Sequence, residues 1–113
     1  MDIEKDAIEA LKNSSNRIVC LLKMEKFDNC LAECLRALKI MTNLKTNFLN
    51  KTFEQNRQFI VDLEQKLLLR KAFALNQMGQ VFNAKREVEK VLEINPEHVE
   101  AKKILENFKL TVC

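Results

Sequence analysis

The sequence contains few residues that form turns and none of the two largest aromatic side chains. Its 113 residues include one glycine, one proline, and no tryptophan or tyrosine. Sandwiches, barrels and glycine-rich phosphate loops need many turn residues, so the sequence argues against these classes. The longest apolar run, Ile18–Leu22, has five residues. A membrane-spanning helix needs about 20 apolar residues, so none is predicted.

The residues that are plentiful are those of a helical globular chain. Hydrophobic residues make up 47% and charged residues 31% of the sequence, and a disordered chain would have far fewer apolar residues. The length fits one domain. The net charge of +3 is below that expected of a nucleic-acid binder. No catalytic set of side chains has convincing spacing, so we do not expect an enzyme. Met1–Asp6 lacks the apolar region of a secretory signal, and a cytoplasmic location is expected.

The cysteines and the single histidine do not indicate a metal site. The cysteines are Cys20, Cys30, Cys34 and Cys113, and the histidine is His98. A zinc site would need nearly all of these side chains to converge, so neither a metal nor a cofactor is predicted. Cys30 and Cys34 are four residues apart, and we expect them to pack as small apolar side chains in a reducing compartment. His98 is predicted to be a surface residue.

Apolar residues recur at helical spacing in three segments. They are Phe27, Cys30, Leu31, Cys34, Leu35, Leu38 and Met41; then Val81, Ala84, Val88, Val91, Leu92 and Ile94; then Val99, Ala101, Ile104, Leu105 and Phe108. Asn95, Pro96 and Glu97 are predicted to open the third helix, with Asn95 as its N-cap. The polar segment 42–50 is predicted to be a loop or a frayed helix end. A long helix is predicted from about Phe53 to Met78.

Two segments of the chain have the same pattern. Cys30-x3-Cys34-x2-Ala37-Leu38 returns 54 residues later as Ala84-x3-Val88-x2-Val91-Leu92. This offset is the sum of about 34 residues, a period known from helix–turn–helix repeats, and about 20 further residues. The sequence therefore predicts two copies of one helical unit, separated by an insertion.

These residues give the chain a resemblance to the tetratricopeptide repeat family. The family's small, turn, small, large and proline positions are occupied in the second copy by Ala72, Gly79, Ala84, Leu92 and Pro96. The first copy has Cys30 in place of the usual alanine and Thr42 in place of the proline. The resemblance implies an all-α fold in which antiparallel helix pairs stack into a right-handed superhelix, a solenoid whose concave face holds a peptide.

Applied to the whole chain, the resemblance implies a single domain made of five segments. These are a leading helix over 1–14, a first repeat over 15–42, an insertion that extends the next helix over 43–65, a second repeat over 66–95 and a capping helix over 96–110.

A narrower resemblance concerns the co-chaperones that bind the C-terminal Glu-Glu-Val-Asp tail of heat-shock chaperones. The segments that carry it are Ser15-Asn16-Arg17 and Lys66-Leu67-Leu68-Leu69-Arg70-Lys71-Ala72. The resemblance implies that Asn16, Lys66 and Arg70 bind the peptide through an amide, an ammonium group and a guanidinium fork. That subset uses five such positions, of which three match here. The insertion is similar to an extension in some axonemal dynein assembly co-chaperones.

The predicted function is that of an adaptor or co-chaperone that binds the acidic C-terminal peptide of a heat-shock chaperone. The three site residues also fit an ordinary solvated polar edge. A second interpretation is a structural or assembly subunit that self-associates, or binds a partner helix, through the uncovered end of an incomplete repeat array. A third is a shortened form of a larger co-chaperone. Neither a nucleic acid nor a membrane is an expected partner.

Overall fold

Five α-helices make up the part of the chain that the computed structural model describes, which is residues 3–46 and 54–111. They are α1 (Ile3–Lys23), α2 (Phe27–Thr46), α3 (Arg57–Gln77), α4 (Val81–Ile94) and α5 (Val99–Thr111). No residue within these two ranges lies in a strand, and the predicted all-α class is confirmed. Each helix packs mainly against the next one, which gives two hairpins, α1–α2 and α3–α4, followed by α5.

The core consists of two clusters of buried apolar side chains that meet on α2 and α3. The first cluster contains Ile8, Leu11, Ile18, Cys30, Cys34, Ala37, Met41, Leu44, Ile60, Leu63, Leu67 and Ala74. The second cluster contains Leu68, Ala72, Leu75, Ala84, Val88, Val91 and Ala101. Leu38 packs against both clusters. Burial of these residues supplies most of the driving force for folding.

The two hairpin turns have the same backbone hydrogen bonds, 54 residues apart. The N–H of Lys26 donates to the carbonyl of Leu21 at 2.9 Å, and the N–H of Gln80 donates to that of Leu75 at 2.9 Å. This bond closes a helix C-terminus when the residue before the donor is in the left-handed region. That residue is Gly79 in the second turn, with φ 83°. The duplication seen in the sequence is therefore present in the backbone of both hairpins.

The N-terminal part of the chain differs from the prediction. A leading helix over 1–14 was expected to be separate from a repeat that begins at residue 15, whereas α1 runs without a break through both. No glycine or proline interrupts this segment, and Leu11, Ser14 and Ile18 are buried along one stripe of α1. The Arg17 guanidinium donates to the Ser14 hydroxyl at 3.2 Å.

The segment 42–50, predicted to be a loop or a frayed helix end, is helical as far as Thr46, and residues 47–50 lie outside the described ranges. Leu44 is buried, which favours the continuation of α2. The hydroxyls of Thr42 and Thr46 donate to the carbonyls four residues earlier, each at 3.0 Å. These bonds satisfy the two hydroxyl groups within the helix, whereas without them the hydroxyls would favour a loop.

The predicted extension of the following helix is confirmed where the structure describes it. α3 begins at Arg57, nine residues before Lys66. Ile60 and Leu63 are buried in the first cluster, as their helical spacing indicated. Phe53, at which the extension was expected to begin, lies outside the described residues.

The last helix begins later than predicted. Asn95 is the C-cap of α4 rather than the N-cap of α5. Its side-chain oxygen accepts a hydrogen bond from the N–H of Glu97 at 3.2 Å, which forms a turn before the helix starts. His98 then caps α5, because its Nδ1 accepts from the N–H of Ala101 at 3.2 Å. His98 is half-buried and has a structural role in the described turn.

Of the predicted apolar-stripe residues whose side chains the structure describes, which leaves out Phe108, three are on the surface. Leu35, Ile94 and Val99 are exposed, although their spacing matches that of the buried residues. Each lies on a helix whose other apolar side chains already face a neighbouring helix. No helix within the described ranges is long and apolar enough to cross a membrane.

Candidate peptide-binding site

Arg70 joins α3 to α1. Its guanidinium donates to the Ser15 hydroxyl at 2.9 Å, across 55 residues of sequence. The side chain is half-buried, and its charge also acts on the buried thiols of Cys30 and Cys34. One donor of the guanidinium therefore holds the group beside α1, while its other donors have no hydrogen-bond partner in the described part of the protein.

Lys66 lies one turn before Arg70 on the same face of α3. Its side chain is exposed. Neither a salt bridge nor a hydrogen bond engages its ammonium group among residues 3–46 and 54–111. The structure therefore places two positive groups one turn apart on α3, of which Arg70 is held beside α1 and Lys66 is exposed to solvent.

Asn16 is next to Ser15 in sequence, but its side chain lines a different surface. It lies in the groove between α1 and α2, which neither Lys66 nor Arg70 lines. Asn16 is exposed. Of the three predicted site residues, the structure thus groups Lys66 with Arg70 and places Asn16 at the edge of α1 beyond them.

A small apolar pocket lies between α3 and α5. Its volume is about 200 Å³, and it is lined by Leu69, Ala72, Phe73, Asn76, Ile104 and Asn107. Leu69 and Phe73 each lie three residues after one of the two cations, so they share a face of α3 with Lys66 and Arg70. The Phe73 ring contacts Phe27 edge to face at a centroid distance of 6.2 Å. Half of Phe73 nevertheless remains exposed to solvent.

The groove between α1 and α2 is larger and more open. Its volume is about 540 Å³, and it is lined by Asn16, Arg17, Cys20, Leu21, Met24, Asn29, Ala32, Glu33 and Arg36. Met24 is 55% exposed. We refer to this surface as the α1–α2 groove.

Sequence reasoning missed the two glutamates that connect the helices of each hairpin. Glu33 accepts from Arg17 at 3.3 Å and from Arg36 at 2.9 Å. Arg17 thus connects α1 to α2 through Glu33.

The second hairpin has the same arrangement 54 residues later. Glu87 accepts from Lys71 at 3.1 Å and from Lys90 at 3.2 Å. The Lys71 side chain is only 15% exposed in this pair. The sequence contains a signal for these ion pairs, because Arg17, Glu33 and Arg36 have the same spacing as Lys71, Glu87 and Lys90.

The cysteines do not form a reactive or metal-binding centre in the described residues. Cys30 and Cys34 are fully buried, as predicted. Burial raises the pKa of the Cys30 thiol. Burial and the neighbouring Cys30 raise the pKa of the Cys34 thiol to about 12. Both thiols are therefore protonated and poor nucleophiles at neutral pH. Within the described ranges no group of three or more candidate metal ligands converges.

Comparison with known proteins adds no assignment. No protein-family model, no curated protein and no solved structure matches this chain.

Proposed function

We propose that this chain is an adaptor of the tetratricopeptide-repeat type that binds the acidic C-terminal peptide of a partner protein. The observation that carries the proposal is the pair of cations on α3. Arg70 is fixed beside α1 by the Ser15 hydroxyl, and Lys66 lies one turn away with no partner among the described residues. A guanidinium fork and an ammonium group at this spacing suit two neighbouring carboxylates.

The hydrogen bond between Arg70 and Ser15 favours binding because it restricts the arginine before the peptide arrives. A long side chain loses rotamer entropy when it binds, and prior restriction lowers that cost. The half-buried position of Arg70 also reduces screening by water and salt. Arg70 therefore holds the terminal carboxylate, and Lys66 holds an acidic side chain.

The pocket between α3 and α5 supplies an apolar contact beside this pair. Leu69, Phe73 and Ile104 line a space of about 200 Å³ next to the face that carries the cations. Such a space accepts one aliphatic side chain of the peptide. The proposed ligand thus has carboxylates at its C-terminus and an aliphatic residue close to them.

The repeat arrangement indicates where such a peptide comes from. The duplicated turns and the duplicated ion pairs support a helical-hairpin repeat, and the residues of α3 resemble those of co-chaperones that bind a Glu-Glu-Val-Asp tail. A heat-shock chaperone tail is therefore the proposed partner. Asn16 contributes at the far end of the peptide. Two cations and one amide provide few charged hydrogen bonds, each worth about 1.5–3 kcal/mol, so the affinity is micromolar or weaker.

The proposal is tested by titrating a fluorescent Glu-Glu-Val-Asp peptide and following its anisotropy. Lys66→Ala and Arg70→Ala should each weaken binding by about tenfold or more, the loss of one charged hydrogen bond. The control is Lys39→Ala, which removes the same charge from an exposed position on α2 and should leave the affinity unchanged. Binding should also weaken as salt is added.

A second probe identifies the group that is recognised. The same peptide with a C-terminal amide should bind more weakly, because it lacks the terminal carboxylate that Arg70 holds. Undetectable binding of the acid peptide, equal binding of the acid and the amide, or an affinity unchanged in the Lys66→Ala/Arg70→Ala variant would each overturn the proposal.

A further inference from the structure

The first helix of each hairpin has an equivalent face. In the second hairpin α2 covers this face, and in the first hairpin it is open to solvent. In the second hairpin, Ala74 and Leu75 are buried, and α2 packs Leu31 and Leu38 against the cluster that contains Leu75. The equivalent residues of the first hairpin, 54 positions earlier, are Cys20 and Leu21. They line the α1–α2 groove, and Cys20 is exposed.

The duplicated ion pairs show that the two faces have the same framework. In the covered hairpin, Lys71 is 15% exposed where it pairs with Glu87. In the open hairpin the equivalent Arg17 is 53% exposed where it pairs with Glu33. The α1 side of the groove, formed by Arg17, Cys20 and Leu21, is therefore equivalent to the surface that α2 covers in the second copy. The equivalents of the α2 side, Asn83 and Arg86, are exposed in that copy.

The groove has the size and chemistry to receive a helix. Its volume is about 540 Å³. Leu21, Met24 and Ala32 provide apolar contacts along it, and Ala32 is exposed. Glu33 is shared between Arg17 and Arg36 at its rim, which leaves one positive charge in excess.

We propose that the α1–α2 groove binds an amphipathic helix of a partner protein, seated as α2 is seated on the second hairpin. The partner helix has an apolar stripe like that of α2, whose contacting residues are Leu31, Cys34 and Leu38. The partner residue that meets the Arg17–Glu33 ion pair is neutral, because in the second hairpin the neutral Cys34 of α2 lies near Lys71.

A second folded copy of this chain is a poorer occupant. The helices with the required stripe are α2 and α4. Leu31 and Leu38 pack in the core from α2, while Val88 and Val91 are fully buried on α4. Offering either stripe to another copy would require unfolding. Neither cation of the proposed peptide site, Lys66 or Arg70, lines this groove, and Asn16 is common to both surfaces.

The probe is a fluorescent synthetic peptide with the sequence of residues 27–46, which is α2 itself. Cys30→Ala and Cys34→Val remove its thiols, because Ala84 and Val88 occupy these positions in the second copy. Its anisotropy is measured against the full chain. A peptide that also carries Leu31→Asp and Leu38→Asp loses the apolar stripe and should not bind.

Two variants of the protein locate the binding. Cys20→Arg places a long charged side chain on α1 from an exposed position whose equivalent, Ala74, is buried in the second copy, and it should weaken binding by about tenfold or more. Asn43→Arg makes a comparable change at an exposed position of α2 outside the groove and should change the affinity by less than about twofold. The Lys66→Ala/Arg70→Ala variant should bind this probe normally, which separates this test from that of the proposed function.

Cys20 provides a second readout within the groove. Saturating peptide should slow alkylation of its exposed thiol, measured in a Cys113→Ser background. The proposal is overturned if the probe does not bind saturably, if the Asp-substituted peptide binds as well, or if Cys20→Arg binds unchanged, as it would if the peptide displaced α2 from the second hairpin. It is also overturned if sedimentation shows a dimer of the chain that Cys20→Arg dissociates, since a second copy would then occupy the groove.

Discussion

Glu25 and Gly79 occupy the same position in the two hairpin turns, and both have positive φ, 58° for Glu25 and 83° for Gly79. Their N–H groups make equivalent bonds, from Glu25 to Leu22 and from Gly79 to Asn76, each at 3.1 Å. Glycine adopts this backbone region without strain, whereas a residue with a Cβ does so at a cost. The first turn therefore keeps the geometry of the second with a less suitable residue.

Glu25→Gly should stabilise the protein by about 1 kcal/mol, because it removes the strain of a left-handed residue. The gain is reduced somewhat by the greater freedom of glycine in the unfolded chain. Glu25 is exposed and its side chain makes no hydrogen bond with a described residue. Urea unfolding followed by circular dichroism measures the change.

The reverse substitution, Gly79→Ala, is the matched control. A Cβ at Gly79 would meet no atom within 4 Å, so its cost is conformational and not steric. We expect a loss of about 1 kcal/mol. A neutral or destabilising Glu25→Gly together with a costly Gly79→Ala would show that the two turns are not equivalent.

The two ion-paired glutamates should differ in their effect on stability. Glu87→Gln leaves Lys71, 15% exposed, without a counter-charge, and should lower the free energy of unfolding by about 3 kcal/mol. Glu33→Gln removes the same group from the open hairpin, where Arg17 and Arg36 are 53% and 64% exposed. Water can solvate these cations, so the loss should be about 1 kcal/mol or less.

Chemical denaturation of the two variants side by side provides the comparison. Equal losses would contradict the view that α2 covers the ion pair of the second hairpin and leaves that of the first one open.

Much of the fold could be predicted because its signals are local. The periodicity of Cys30, Cys34 and Met41 identified the buried side of α2, and these residues are fully buried. Gly79 marked a turn because glycine tolerates positive φ. Glu25 gave no such signal, although the same turn occurs there. The 54-residue repeat offset is the feature of the sequence that relates Glu25 to Gly79.

Other features depend on packing between distant segments and could not be predicted. The bond from Arg70 to Ser15 exists because α1 and α3 approach each other, which no spacing within either segment specifies. Leu35 matches the helical stripe but faces solvent, since a periodic pattern does not state how many sides of a helix are covered. The start of α5 moved to Val99 because Asn95 forms a turn with its own side chain.

The candidate site was predictable in part for the same reason. Lys66 and Arg70 lie on one helix, so their common face follows from their spacing. The position of Asn16 relative to them depends on how α1 rotates against α3, and its side chain lies in the α1–α2 groove. The shared roles of Glu33 and Glu87 could have been found by applying the 54-residue offset to charged residues as well as apolar ones.

The buried thiol of Cys34 should make stability fall at alkaline pH. Its pKa rises from 9.0 to about 12 on folding, because burial and the adjacent Cys30 disfavour the thiolate. The folded state therefore holds this proton more tightly than the unfolded state does. The stability that depends on the protonated Cys34 thiol is fully present below pH 9 and is lost progressively between pH 9 and 12.

Cys34→Val provides a variant of similar shape that does not titrate, and valine occupies the equivalent position at Val88. The difference in the free energy of unfolding between the native chain and this variant should be constant below pH 8.5. By pH 10.5 the native chain should have lost about 2 kcal/mol of unfolding free energy relative to Cys34→Val, since one pKa unit corresponds to about 1.4 kcal/mol. A difference between the native chain and Cys34→Val that stays constant across this range would mean that the Cys34 thiol is not held in its protonated form by burial.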